Sequence, residues 1–239
     1  MNRFKEIVLS KNSILIDTQE LKEKLNIPNA LKKYEKEIKR EYSRERSWEL
    51  CHDTFKEAIL KADKCSDEKK RQLAVELACY LASFGMYRNS LLLNVNYMAL
   101  LNVVSEIVDV DNKILLINAG SNIERITTLS KTIEKKLNVV KNLSDSQRSV
   151  TSTLISKIMH GTLGCTVAYD DVVCKRLKQL FSQKSTVLSK FSHDSINFLY
   201  SIHDCLNIHS DFKSFDGLTP MREMDIVLWF GRDEESSNK

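Results

Sequence analysis

Apolar residues recur at three- and four-residue intervals along most of this chain, the period of a helix with one buried face. Trp48, Cys51, Phe55 and Ile59 follow that spacing after Ser43, a residue type suited to an N-cap. Leu73, Leu77, Tyr80, Leu81 and Phe84 repeat it after Ser66, and Gly85 is a natural stop. Ser121 and Glu124 have the spacing of a capping box ahead of Ile126, Leu129, Ile133 and Leu137. Val150, Leu154, Ile158 and Met159 form a further stripe that ends at Gly161. Helices are also expected from near Asp170 and after Ser192, the latter with Ile196, Leu199 and Leu206 inside. A last one opens at Thr219-Pro220, a cap followed by proline at the first helical position, and ends at Gly231. Asn29 can cap a run reaching about Tyr42, and residues 92–108 are apolar enough for a buried helix.

Two segments read differently. "KEIVLSKNSILID", residues 5–17, is two short apolar runs around Lys11-Asn12, and both a hairpin and a loosely packed arm fit it. "DVDNKILLI", residues 109–117, is ambiguous, and a lobe boundary fits there. "RDEESSNK" at the end reads as a solvated tail. The expectation is an all-α, compact multi-helix protein of roughly eight to ten helices. One domain over residues 1–239 is expected, and it allows a subdivision into two lobes, 18–108 plus 192–231 and 119–190, with a cleft between them.

Composition sharpens this picture. Only 6 glycines and 2 prolines in 239 residues argue against an all-β fold, which needs frequent turns. With 42% hydrophobic and 28% charged residues the chain is of globular type. A formal charge of +4 permits an anionic partner without demanding one. No apolar run is long enough to span a bilayer and no secretory signal is seen, so no membrane partner and a cytoplasmic location are expected. Cys51, Cys65, Cys79, Cys165, Cys174 and Cys205 include no CxxC and read as buried thiols rather than bridges or zinc ligands. His203, Cys205 and His209 come nearest to a metal signature but lack a second pair, so no metal is expected. No P-loop, GxGxxG or GxSxG is present, and no cofactor is expected.

Four stretches carry candidate chemistry. In "KIMHGTLGCTVAYDDVVCKRL", Gly161 and Gly164 can let a turn approach a phosphate, and a helix N-terminus adds partial positive charge. Asp170 then opens a helix bearing Lys175, Arg176 and Lys178; it can serve as a helix cap or as an acid beside a sugar. "SRERSWELCH" sets Arg44, Arg46, Trp48 and His52 within about two helical turns. Those residues suit either phosphates and a flipped base, or a core tryptophan beside wet arginines. "ASFGMYRNS" places Ser83, Tyr87, Arg88 and Ser90 around Gly85, as a pocket lining or a C-cap. Arg222 and Asp225 in "PMREMDIVLW" are i, i+3 partners, either a local ion pair or, in the sharper version, Asp225 holding an upstream arginine.

"AYDDVVCKRL" resembles the catalytic-aspartate segment of helix-hairpin-helix DNA glycosylases, with Asp170, Val173 and Lys175 on the matching positions. The glycines here lie closer to the Asp than that superfamily's hairpin does. The resemblance implies Asp170 as the catalytic residue of N-glycosidic bond cleavage on a base flipped out of DNA. Arg44, Arg46 and Arg88 would then hold phosphates or polar substituents. "SRERSWELCHDTF", "LASFGMYRNS", "KIMHGTLGCTVAYD" and "TPMREMDIVLWFG" together resemble one family of uncharacterised helical bacterial proteins. That second resemblance carries no chemistry of its own, but a bacterial setting suggests modified bases of invading phage DNA and a role in defence. The alternatives are a non-catalytic helical binding or regulatory module and a small-molecule enzyme with an arginine-rich cleft.

Overall fold

The computed structural model describes residues 3–10, 13–61, 65–88, 90–108, 110–144, 147–181, 188 and 190–232. The fold is all-α with one N-terminal hairpin, the only sheet among the described residues. Two units can be distinguished, one made of Met1–Glu41 with Val167–Lys239 and the other of Tyr42–Thr166. Residues 109–117, where a lobe boundary was expected, lie inside the second unit.

In the first unit, β1 (Phe4–Val8) pairs antiparallel with β2 (Ser13–Asp17) in a register that sets Ile7 opposite Ile14. Ile7, Ile14 and Ile16 are buried while Val8 and Leu15 face out, the alternation of a half-buried strand pair. The Lys11-Asn12 turn lies outside the described residues, as does the tail after Arg232. Asp17 ends β2 and caps α1 (Thr18–Leu25), its carboxylate accepting from the amides of Gln19 and Glu20. Asn26, with φ 53°, then turns the chain directly into α2 (Ile27–Ile38). The expected cap Asn29 is therefore inside α2; asparagine tolerates the left-handed conformation, and Asn26 takes the junction. Asp170 precedes α9 (Asp171–Leu180), Ser192 and Ser195 form a capping box on α10 (His193–Leu206), and Thr219 caps α11 (Pro220–Phe230). Every residue of α11 from Met221 to Leu228 is buried, against α2, α9 and α10.

The second unit holds α3 (Glu45–Leu60), α4 (Asp67–Ser83), α5 (Leu101–Val108), α6 (Lys113–Asn118), α7 (Ile123–Leu143) and α8 (Ser152–Leu163). Ser43 accepts from the amide of Glu45 at 3.2 Å, at the very start of α3. The apolar run 92–108 is not one helix. Asn96 accepts from the amide of Met98 at 2.9 Å and breaks it into short 3-10 turns followed by α5. No side-chain cap precedes α7, because a 3-10 turn over Ala119–Ser121 carries the chain one residue past the expected Ser121 box. Its stripe Ile126, Leu129, Ile133 and Leu137 is buried as the periodicity requires.

Helix α8 is buried from Leu154 through Leu163 and packs on α3, α4 and α7. Gly161 lies within it rather than ending it, and a Cβ there would overlap the ring of Tyr80 on α4. The helix ends instead at Gly164, which takes φ 59° and ψ 19°, a left-handed C-cap. Gly161→Ala is expected to destabilise the protein by about 1–3 kcal/mol, the usual cost of overpacking. In a Tyr80→Leu background the same change should cost clearly less in urea unfolding. An equal cost in both backgrounds would show that the ring does not require the glycine.

Candidate functional site

The segment expected to grip phosphate is an internal one. Trp48 on α3 is 2% exposed and its Nε1 donates to the carbonyl of His160 at 2.9 Å. His52, one turn on, stacks against Trp48 at 4.7 Å between ring centroids, and its Nδ1 donates to the carbonyl of Thr162 at 3.1 Å. The Nδ1 of His160 donates to the carbonyl of Thr166 at 2.7 Å. The backbone around Gly161 and Gly164 is thus held by a tryptophan and two histidines, and all of residues 154–169 are buried. Burial pushes the His52 imidazole down from 6.5 to about 4, so the ring is neutral near pH 7. The same cause lifts the Cys51 thiol well above its ordinary value and the Cys165 thiol to about 12. The six cysteines are unbridged, but Cys51 and Cys165 alone are buried and Cys79 is exposed.

Charge gathers at the C-terminal end of α4. Phe84, half-buried, follows the last helical residue. The Arg44 guanidinium carbon stands 5.4 Å from the Phe84 ring centroid, and Lys157 Nζ 5.8 Å from it. Lys157 is 5% exposed and donates to the Phe84 carbonyl at 3.2 Å. Gly85, at φ +74°, lets Arg88 fold back, with NH2 3.0 Å from where a Cβ on that residue would sit. Ser47 donates to Ser83 at 3.1 Å, and Ser83 to the Cys79 carbonyl at 3.0 Å. Arg44 also donates from Nε to the buried Glu45 at 3.3 Å. Cations at a helix C-terminus complement its partial negative charge. Arg44 and Arg88 are nevertheless exposed residues, Arg44 beside the Phe84 ring and Arg88 over the adjacent Gly85, an arrangement suited to a planar, anionic ligand.

Arg46 is exposed on α3, and Tyr87 is half-buried, its phenol pushed up by that burial. Sequence reasoning missed Lys157, a lone lysine in the apolar stripe "LISKIM"; that oddity was the available signal.

The remaining candidates belong to the first unit. Asp170 is half-buried, and its Oδ1 accepts from the amides of Val172 and Val173, both at 3.1 Å, so it caps α9. Lys175 and Lys178 are exposed on that helix. Arg176 is committed inward, its NH2 donating to the carbonyls of Lys24 and Gly231. Arg222 is 1% exposed and lies 5.6 Å from the Tyr34 ring centroid. Its NH1 donates to Asp225 Oδ2 at 3.3 Å, while Asp225 Oδ1 accepts from the amide of Ala168 at 2.9 Å. The local pair is therefore present, and Asp225 also holds the chain just before Asp170. With Arg222 in the interior, neither residue presents a surface to DNA.

The histidine group near Cys205 also serves the interior. Glu223 is fully buried and accepts from His203 Nε2 at 2.6 Å and His209 Nδ1 at 2.7 Å. Cys205 turns to the Ile202 carbonyl. Among the described residues no group could hold a metal ion, and no helix is long and apolar enough to cross a membrane. Comparison with family models, with characterised proteins and with solved structures finds no match to this chain.

The His52 latch has a pH signature. Between about pH 4 and 6.5 the unfolded chain binds a proton that folded His52 refuses. Its contribution is whole above pH 6.5 and falls away as the pH drops toward 4, by about 3 kcal/mol at most. His52→Gln keeps a donor but cannot titrate, so acidification should cost it less stability than wild type in urea unfolding. Identical pH dependence in the two proteins would refute the burial argument.

Proposed function

We propose that this protein is a helical module that binds nucleic acid, with the corner at the end of α4 as its contact surface. The observation that carries the reading is the half-exposed Phe84 ring with Arg44 and Lys157 on it and Arg88 folded over the adjacent glycine. The arginines supply phosphate contacts, and the ring supplies a face on which an unpaired base stacks. Single-stranded DNA is the partner that uses both. Binding to a fluorescent oligonucleotide should weaken with salt. Arg44→Ala with Arg88→Ala should lower the log–log salt slope by about 0.7 for each phosphate that the variant leaves unneutralised. Phe84→Leu should cost about 1–3 kcal/mol, the worth of one stacked base. Absence of binding at low salt, or unchanged binding in these variants, removes the proposal.

Base excision is the second reading. It is favoured by the position of Asp170, a half-buried carboxylate at a helix N-terminus, three residues before Val173 and five before Lys175. One oxygen of that carboxylate is already engaged in capping α9, so binding is the better supported of the two. Asp170→Asn separates them, because asparagine caps as well as aspartate and preserves the fold. If Asp170 is the catalytic acid, wild type generates abasic sites in unmodified or phage-derived modified DNA and the variant does not. Equal yields, or none from either, leave binding without catalysis.

A further inference from the structure

A cavity of about 310 Å³ opens in the second unit, between α5, the turn before α6, and α7. One wall is a single face of α7: Arg125, Thr128, Leu129 and Thr132, at the i, i+3, i+4, i+7 spacing that brings side chains together. Opposite stand Glu106, Asp111 and Asn112. The construction is specific at Asn112, which is 1% exposed. Its Nδ2 donates to the carbonyls of Glu106 at 2.8 Å and Ile107 at 3.1 Å, closing the end of α5. Its Oδ1 accepts from Arg125 Nε at 3.2 Å. A buried amide thus fixes the guanidinium by Nε, while Nη2 lies 4.0 Å from Oδ2 of Asp111, another lining residue of the cavity.

Charge decides what such a space accepts. Arg125 is one cation; Glu106 and Asp111 are two anions, and Lys136 meets Glu106 at 2.7 Å. Lys136 answers Glu106, so Arg125 and the loosely placed Asp111 are the charges left to a guest, and a compact dianion such as phosphate would meet the Asp111 carboxylate beside its guanidinium. A ligand bearing one carboxylate and one ammonium meets a partner for each. The volume stands at the lower end for ligand pockets, which restricts the guest to a small metabolite.

We infer that this cavity is a binding site for a free amino acid. Its carboxylate lies on the Arg125 guanidinium, its ammonium faces Asp111, and Thr128 supplies a hydroxyl contact. A panel of free amino acids at millimolar concentration, screened by thermal shift and followed by calorimetry on the whole chain, tests it. At least one should bind with one-to-one stoichiometry. Its decarboxylated amine and its deaminated acid should each bind about tenfold more weakly, or not at all. Arg125→Met should lose about tenfold in affinity. Thr128→Val is a second variant that leaves the fold's bonds intact, since the Thr128 hydroxyl bonds to nothing among the described residues. It should lose about threefold, the worth of one hydrogen bond. The inference is overturned if no amino acid binds, if inorganic phosphate or glucose binds more tightly than every amino acid, or if Thr128→Val retains wild-type affinity.

Discussion

Helix α8 has no face in water between Leu154 and Leu163, and this constraint governs the second unit. A helix sunk on every side must place its polar groups against partners, since an unmet buried donor or acceptor costs about 1–3 kcal/mol. Ser156, Lys157, His160 and Thr162 all ride on it. Lys157 reaches the end of α4, Thr162 bonds back to the Ile158 carbonyl, and His160 closes on the Thr166 carbonyl. The backbone past the helix is then captured from α3 by Trp48 and His52. Gly161 is the steric counterpart of this burial, since only a residue without Cβ lets α8 and Tyr80 approach so closely.

The first unit repeats the same solution with stronger charges. Helix α11 is buried from Met221 to Leu228 and carries Arg222, Glu223 and Asp225 inward. Buried charge is tolerated only when paired and hydrogen-bonded. Arg222 and Asp225 meet each other, Asp225 also takes the Ala168 amide, and Glu223 takes two imidazoles. The polar stretches that look most chemical in the sequence are therefore largely the means by which two central helices are buried.

That division of labour concentrates binding capacity elsewhere. Arg44 is exposed beside Phe84, Arg88 is exposed over Gly85, and Arg125, held by Asn112, lines a cavity. Both places use a cation beside a local support, Phe84 for Arg44 and Asn112 for Arg125. The thiols of Cys51 and Cys165 are held protonated by burial and take no part in such chemistry.

By itself the sequence determined the helical class and the helix starts at Ser66, Asp170, Ser192 and Thr219, because caps and periodicity are local and each is settled by a few neighbouring residues. It left residues 5–17 open between a hairpin and an arm, and the pairing of β1 with β2 decided for the hairpin. The stripe of α7 was legible for the same reason, and so was Asp170 as a cap, though the same residue read equally as an acid. Tertiary structure decided which polar residues are internal. Nothing local distinguishes Arg222, sunk beside Tyr34, from Arg44, exposed beside Phe84; the difference is made by elements far away in the chain. Gly161 and Gly164 looked like a phosphate turn because glycine's freedom is local, whereas the Tyr80 ring that occupies the space beside Gly161 arrives from α4. The Asn112–Arg125 cavity had no sequence signal, since its walls are separated by a turn and joined only when α5 packs on α7. Burial is a property of what covers a side chain, and that partner is chosen by the fold.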